Sequence, residues 1–226
     1  ENYYELILQL AARFNIYSYL TKLSNSTELS KFFFENAIYK KYPEIYQVRR
    51  EIISNLLKLF PEKDKLIDAI ESDIEMDMPI VKIALFILSE INDYPEKLFE
   101  IALRIIDNEE LTMTDDFTKI INIMIDGNIE AVSIFIDNPQ IRQRQIQTGN
   151  KKIIPFLEPS IDLIQEIKSF ASSDFALELI GDTDNIELFK AAIPLFADNE
   201  LVIDKIDKIS DKPEFTSDPR WIQLLI

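Results

Sequence analysis

Apolar residues recur along this chain at steps of three and four, almost without a break, and that period admits helices and little else. Tyr4, Ile7, Leu8, Leu10, Ala11, Phe14 and Tyr17 fall on one broad face of a first helix. Leu29, Phe32, Phe33, Ala37 and Ile38 form the stripe of a second, which Asn25 and Glu28 open as a reciprocal capping box and which ends before Pro43. Pro43 suits the first turn of a third helix, where its missing N–H is not needed, and Ile45, Val48, Ile52, Ile53, Leu56, Leu57 and Phe60 follow. After Pro61 a shorter helix carries Leu66, Ile67 and Ile70. The stretch from Met78 to Ile91, which Asp77 is placed to cap, is apolar on nearly every side. A short helix with no polar face belongs in the middle of a protein, so Ile83, Leu85, Phe86, Ile87 and Leu88 are expected in the core.

The same period continues downstream. Asp93 and Glu96 read as a second capping box, Thr114 starts a helix through Phe117, Ile120, Ile121 and Met124, and Gly127 stands where a left-handed C-cap would go. Later helices are expected at 129–137, 160–171, 173–180, 185–197 and 199–209, with Pro194 kinking or ending its own. The Ile and Val content favours strands by propensity, but no strand alternation competes with the helical period. The expected class is therefore all-α, with helix above about 60% of residues against the usual third.

What the chain lacks excludes whole classes of chemistry. Its 226 residues include three Gly, no Cys and no His. Gly-rich phosphate loops and dinucleotide fingerprints need several glycines at close spacing. Absence of Cys removes thiolate nucleophiles, disulfides and Cys-type metal sites. Absence of His removes the usual proton shuttle near neutral pH and the commonest transition-metal ligand. No catalytic, cofactor-binding or metal-binding residue stands out, so the expectation is a protein that is not an enzyme and needs no cofactor.

Charge is concentrated rather than spread. Residues 1–60 hold 8 basic and 6 acidic side chains, whereas residues 61–140 hold 6 and 19, a net −13 within a total of −16. Such a surface repels phosphate backbones and anionic membranes, so neither nucleic acid nor membrane is an expected partner. It steers a basic protein segment instead. The densest part is Glu71-Ser72-Asp73-Ile74-Glu75-Met76-Asp77, read as a charged linker between helices, and Asp73, Glu75 and Asp77 are the candidate partner-binding residues. A counter-candidate lies in the polar, flexible stretch from Gln140 to Lys152, where Arg142 and Arg144 can grip an acidic peptide or a phosphate. Carboxylates at alternate positions can also surround Mg²⁺, so a Mg-dependent enzyme built on a helical scaffold is the alternative reading.

A faint repeat underlies the helices. Ala102-Leu-Arg-Ile-Ile-Asp-Asn108, Val132-Ser-Ile-Phe-Ile-Asp-Asn138 and Ile193-Pro-Leu-Phe-Ala-Asp-Asn199 share apolar residues five, two and one positions before Asp-Asn. Leu111, Ile141 and Val202 follow each Asp by four. The Asp residues are 30 and then 61 apart, about one and two units. With it, the stretch 43–209 resembles the armadillo and HEAT class of helical repeats. That resemblance implies antiparallel helix pairs stacked as an α-solenoid, acting as a curved scaffold that binds proteins, often through a concave face; a globular multi-helix bundle is the alternative architecture.

The organisation expected is a single all-helical domain over 1–226, with a sub-boundary near 139–152, cut from a longer protein. No apolar run approaches the length of about 18 residues that a membrane span requires. The N-terminus has no basic region followed by an apolar run, so an intracellular location, cytoplasmic or nuclear, is expected. The aromatics near the N-terminus, including Phe32-Phe33-Phe34, are expected in the core or against a neighbouring surface.

Overall fold

The computed structural model describes residues 3–14, 22–42, 50–158 and 160–182. Helix accounts for 79% of these residues, and no strand occurs among them. The expected helices at 185–197 and 199–209, the third copy of the Asp-Asn pattern, and the opening turn at Pro43 lie outside the described residues.

Contacts group the chain into two compact units, residues 1–129 and 130–226. The division falls at Ile129, ahead of the 139–152 stretch that the sequence marks as a sub-boundary. In the first unit the helices are α1 (Tyr3–Phe14), α2 (Thr27–Glu35), α3 (Ile38–Lys41), α4 (Arg50–Leu59), α5 (Lys63–Glu71), α6 (Met78–Ser89), α7 (Pro95–Arg104), α8 (Glu109–Thr112) and α9 (Asp115–Asp126). A 3₁₀ turn, Ser72–Glu75, joins α5 to α6. The second unit holds α10 (Ser133–Asp137), α11 (Pro139–Gln147), a 3₁₀ segment at Lys151–Phe156, α12 (Ile161–Phe170) and α13 (Ser173–Asp182).

α6 is the centre of the first unit. α3, α4 and α9 all pack on it, α9 packs on α7 as well, and α2 packs on α4. Ile83, Leu85, Phe86, Ile87 and Leu88 are all buried, as a helix without a polar face requires. In the second unit α10 and α12 pack on α11, and α13 packs on the Lys151–Phe156 segment.

One device starts five of these helices. Ser26, Asn108, Thr114, Asn138 and Ser160 each accept a hydrogen bond from the amide three residues on, belonging to Leu29, Leu111, Phe117, Ile141 and Leu163 respectively. Every one of those five amides belongs to a buried apolar residue. The cap thus satisfies an orphan amide at the point where the helix turns its first large side chain into the core. Asn108 and Asn138 are the Asn of the repeated Asp-Asn pattern, so the pattern marks a capped helix start, and its trailing Leu111 and Ile141 are the residues that the cap pins.

Several local expectations shift. The α2 cap is Ser26, not Asn25: Ser26 is the extended residue (φ −92°, ψ 123°) and its Oγ lies 3.2 Å from Leu29 N. The second helix breaks into α2 and α3 because the Asn36 side chain donates to the Phe32 carbonyl at 2.9 Å and Ala37 turns left-handed at φ 48°. Tyr94, not Asp93, precedes α7, and it makes no side-chain cap. Asp77 precedes α6 in extended conformation, also without a side-chain cap. Gly127 is right-handed at φ −79°, and Asn128 takes the left-handed turn at φ 58°. Gly127 is needed for space: a Cβ there would stand 2.5 Å from the Pro95 ring.

Candidate functional site

The acidic segment between α5 and α6 is not the uniformly solvated linker expected of it. The 3₁₀ turn Ser72–Glu75 rotates Asp73 inward, and its side chain is only 1% exposed. The Tyr39 hydroxyl donates to Asp73 Oδ2 at 2.9 Å, and Lys40 pairs with Oδ1. Burial first, and then the Asp73 charge, push the Tyr39 phenol well above its ordinary range. Asp73 is therefore corrected from a partner-binding candidate to an anchor of the fold: a charge can enter the interior only with a counter-charge and hydrogen bonds, and α3 supplies both. Glu75 and Asp77, on either side of Met76, remain exposed and form no ion pair among the described residues.

Beside them lies a groove of about 450 Å³. Ile74, Met76 and Met78 come to it from the 3₁₀ turn and the start of α6, Val81 from the body of α6, and Ile105 and Leu111 from the turn after α7 and from α8. Met76 is 48% exposed. Its polar lining is Glu75, Arg104 and Asn108. The Arg104 guanidinium pairs with Glu71, and Asn108 caps α8. A second cleft of about 290 Å³, lined by Asp68, Glu71, Ser72, Glu75 and Arg104, adjoins the first through Glu75 and Arg104.

The electrostatics around this face have a clear cause. All six basic residues of the stretch 61–140 are already in ion pairs: Lys63 with Asp93, Lys65 with Glu62, Lys82 with Glu110, Lys97 with Asp68, Arg104 with Glu71 and Lys119 with Glu90. The carboxylates outnumber them, so Glu75, Asp77, Glu96, Glu100, Asp107 and Glu109 stand exposed with no ion-pair partner among the described residues. Five of the bridges tie residues 28, 29, 29, 30 and 33 apart, close to the spacing of the Asp-Asn pattern.

Arg142 and Arg144, the cationic candidates, lie on α11 rather than in a flexible stretch. Asn138 and Pro139 start that helix, and Ile141, Gln145 and Ile146 bury one side of it. Arg142 grips Glu166 with Nε and Nη2 at 2.8 and 2.9 Å, and this pairing raises its already high pKa. Its fork is thus occupied by a carboxylate of its own unit. Arg144 is half-buried on the same helix.

A further charged cluster, which no motif in the sequence marks, forms around Asp116 at the start of α9. Asp116 is buried, pairs with Arg50 and receives the Ser89 hydroxyl at 3.4 Å, while the Arg50 guanidinium lies 4.3 Å from the centre of the Phe86 ring. Among the described residues no three carboxylates converge closely enough to hold a metal ion, and no helix is long and apolar enough to cross a membrane.

No family model, curated protein or solved structure matches this chain, so its function is argued from these residues alone.

Proposed function

We propose that this protein is a non-enzymatic interaction scaffold with an acidic surface, around Glu75 and Asp77, that binds a basic segment of another protein. The observation that supports this is the complete pairing of the six basic side chains of residues 61–140, which leaves exposed carboxylates with no ion-pair partner among the described residues. Uncompensated charge of one sign raises the association rate of an oppositely charged partner and weakens with salt. We propose further that the helices stack as pairs about 30 residues long in an armadillo- or HEAT-like manner. The capped Asp-Asn pattern and the ion pairs at 28 to 33 residues support this, because a repeat makes equivalent positions of successive pairs neighbours.

A labelled twelve-residue peptide of Lys, Arg and Ser tests the reading by fluorescence anisotropy across a salt series. Reversing Glu75 and Asp77 to Lys is expected to weaken binding about tenfold at low salt. The same reversal at Asp162 and Asp174 of the second unit is expected to matter much less. Equal losses from both pairs, or binding that ignores salt, would overturn the proposal.

A further inference from the structure

The groove beside Glu75 adds an apolar requirement to that reading, on which it rests. We infer that the groove holds a large apolar side chain, of Leu, Met or Phe size, from a linear protein segment, with a neighbouring Lys or Arg reaching Glu75. Three features of the face fit this occupant. The groove walls are aliphatic and thioether side chains, and two of the chain's four methionines, Met76 and Met78, lie in it. Methionine is flexible and polarizable, which suits a surface that must close around a side chain brought from outside. At about 450 Å³ the groove is of ligand-holding size, in the range of about 300–1,000 Å³.

Charge complementarity decides the chemistry of the occupant. Arg104 is neutralised by Glu71 and the Asn108 carbonyl oxygen is used in a cap, which leaves Glu75 as the carboxylate of the groove with no ion pair among the described residues. Asp77 sits between the two methionines, and Asp107 and Glu109 flank Asn108. An apolar anchor entering here is therefore surrounded by negative charge, and a segment carrying acidic residues is repelled. The adjoining cleft shares Glu75 with the groove, so one carboxylate borders both the apolar space and the polar one. A cation next to the anchor in sequence meets that carboxylate without leaving the surface.

Selection of displayed random twelve-residue peptides on the full chain tests this, followed by anisotropy with the enriched peptides. The expected consensus is one large apolar residue beside Lys or Arg. Met76→Glu is the decisive variant, because it removes apolar surface while making the face more negative. Loss of an anchor contact predicts binding weaker by about tenfold or more; attraction by charge alone predicts binding unchanged or tighter. Met78→Gln, which leaves the charge unaltered, is expected to weaken binding in the same direction, and circular dichroism melts check that both variants fold. Basic peptides with no apolar consensus, or binding that survives both variants, overturn the anchor and leave the acidic-face reading intact. Enriched peptides without basic residues, or no enrichment at all, overturn both. Dimerisation of the chain that Met76→Glu abolishes, seen by sedimentation, would assign the groove to a second copy and overturn the inference.

Discussion

The Tyr39 hydroxyl and the Asp73 carboxylate meet at 2.9 Å across 34 residues of sequence, and both side chains are buried. The bond fastens the 3₁₀ turn after α5 to α3, and so sets how the groove-forming residues Ile74 and Met76 leave that turn. Tyr39→Phe deletes a hydrogen bond to a charged group and should cost about 1.5–3 kcal/mol in urea unfolding. Asp73→Lys places two cations where one buried carboxylate stood and should prevent cooperative folding. Glu75→Lys and Asp77→Lys, two and four residues further on, should each change stability by less than about 0.5 kcal/mol. Equal stability across the three reversals would mean that Asp73 is not buried in solution.

Gly127→Ala should destabilise the first unit. At a right-handed glycine such a change ordinarily stabilises by about 0.4–1 kcal/mol, since it restricts the unfolded chain. Here the added Cβ meets the rigid Pro95 ring at 2.5 Å, so overpacking dominates, at about 1–3 kcal/mol. Pro95→Gly in the same chain removes both ring atoms that the new Cβ meets and should recover part of that loss. A melting temperature that rises with Gly127→Ala alone would refute the close packing of these two residues.

Glu90 should contribute to the acid sensitivity of the fold. Burial alone would raise its pKa, but the hydrogen bonds from Lys119 and Ser54, both at 2.8–2.9 Å, and the charges of Lys119 and Arg50 bring it below its ordinary 4.5. A carboxylate with a depressed folded pKa adds stability above its unfolded value, and that stability is lost as pH falls through the folded one. Glu90→Gln should therefore be less stable than the parent chain at pH 7, with the difference shrinking below about pH 4.5. Urea midpoints measured from pH 7 to 3 check this; a constant difference would exclude ionisation of Glu90 as the cause.

The groove shows how far the sequence could be read. Glu75 and Asp77 stood out within one charged stretch, Glu71 to Asp77, because neighbours in sequence are visible together. Val81, Ile105 and Leu111 look like any other stripe residues, and nothing in their spacing says that they border a surface groove. The Arg50–Asp116 pair was equally hidden, since its members are 66 residues apart. The Asn108 and Asn138 caps were visible as a pattern, yet the pattern alone did not say that the asparagine side chain caps a helix.

Helix class, the central place of α6 and the excess of negative charge follow from the sequence alone, because period, hydropathy and net charge are sums over local residues. Which carboxylates stay exposed does not. Asp73 and Asp116 have the same side chain as Asp77, and all three lie at or within the first turn of a helical segment. Asp73 and Asp116 are buried because Lys40 and Arg50, distant in sequence, arrive beside them in the fold, whereas no cation among the described residues reaches Asp77. A charge is admitted to the interior only where a partner from another element offsets its desolvation, and that pairing exists only once the helices have packed.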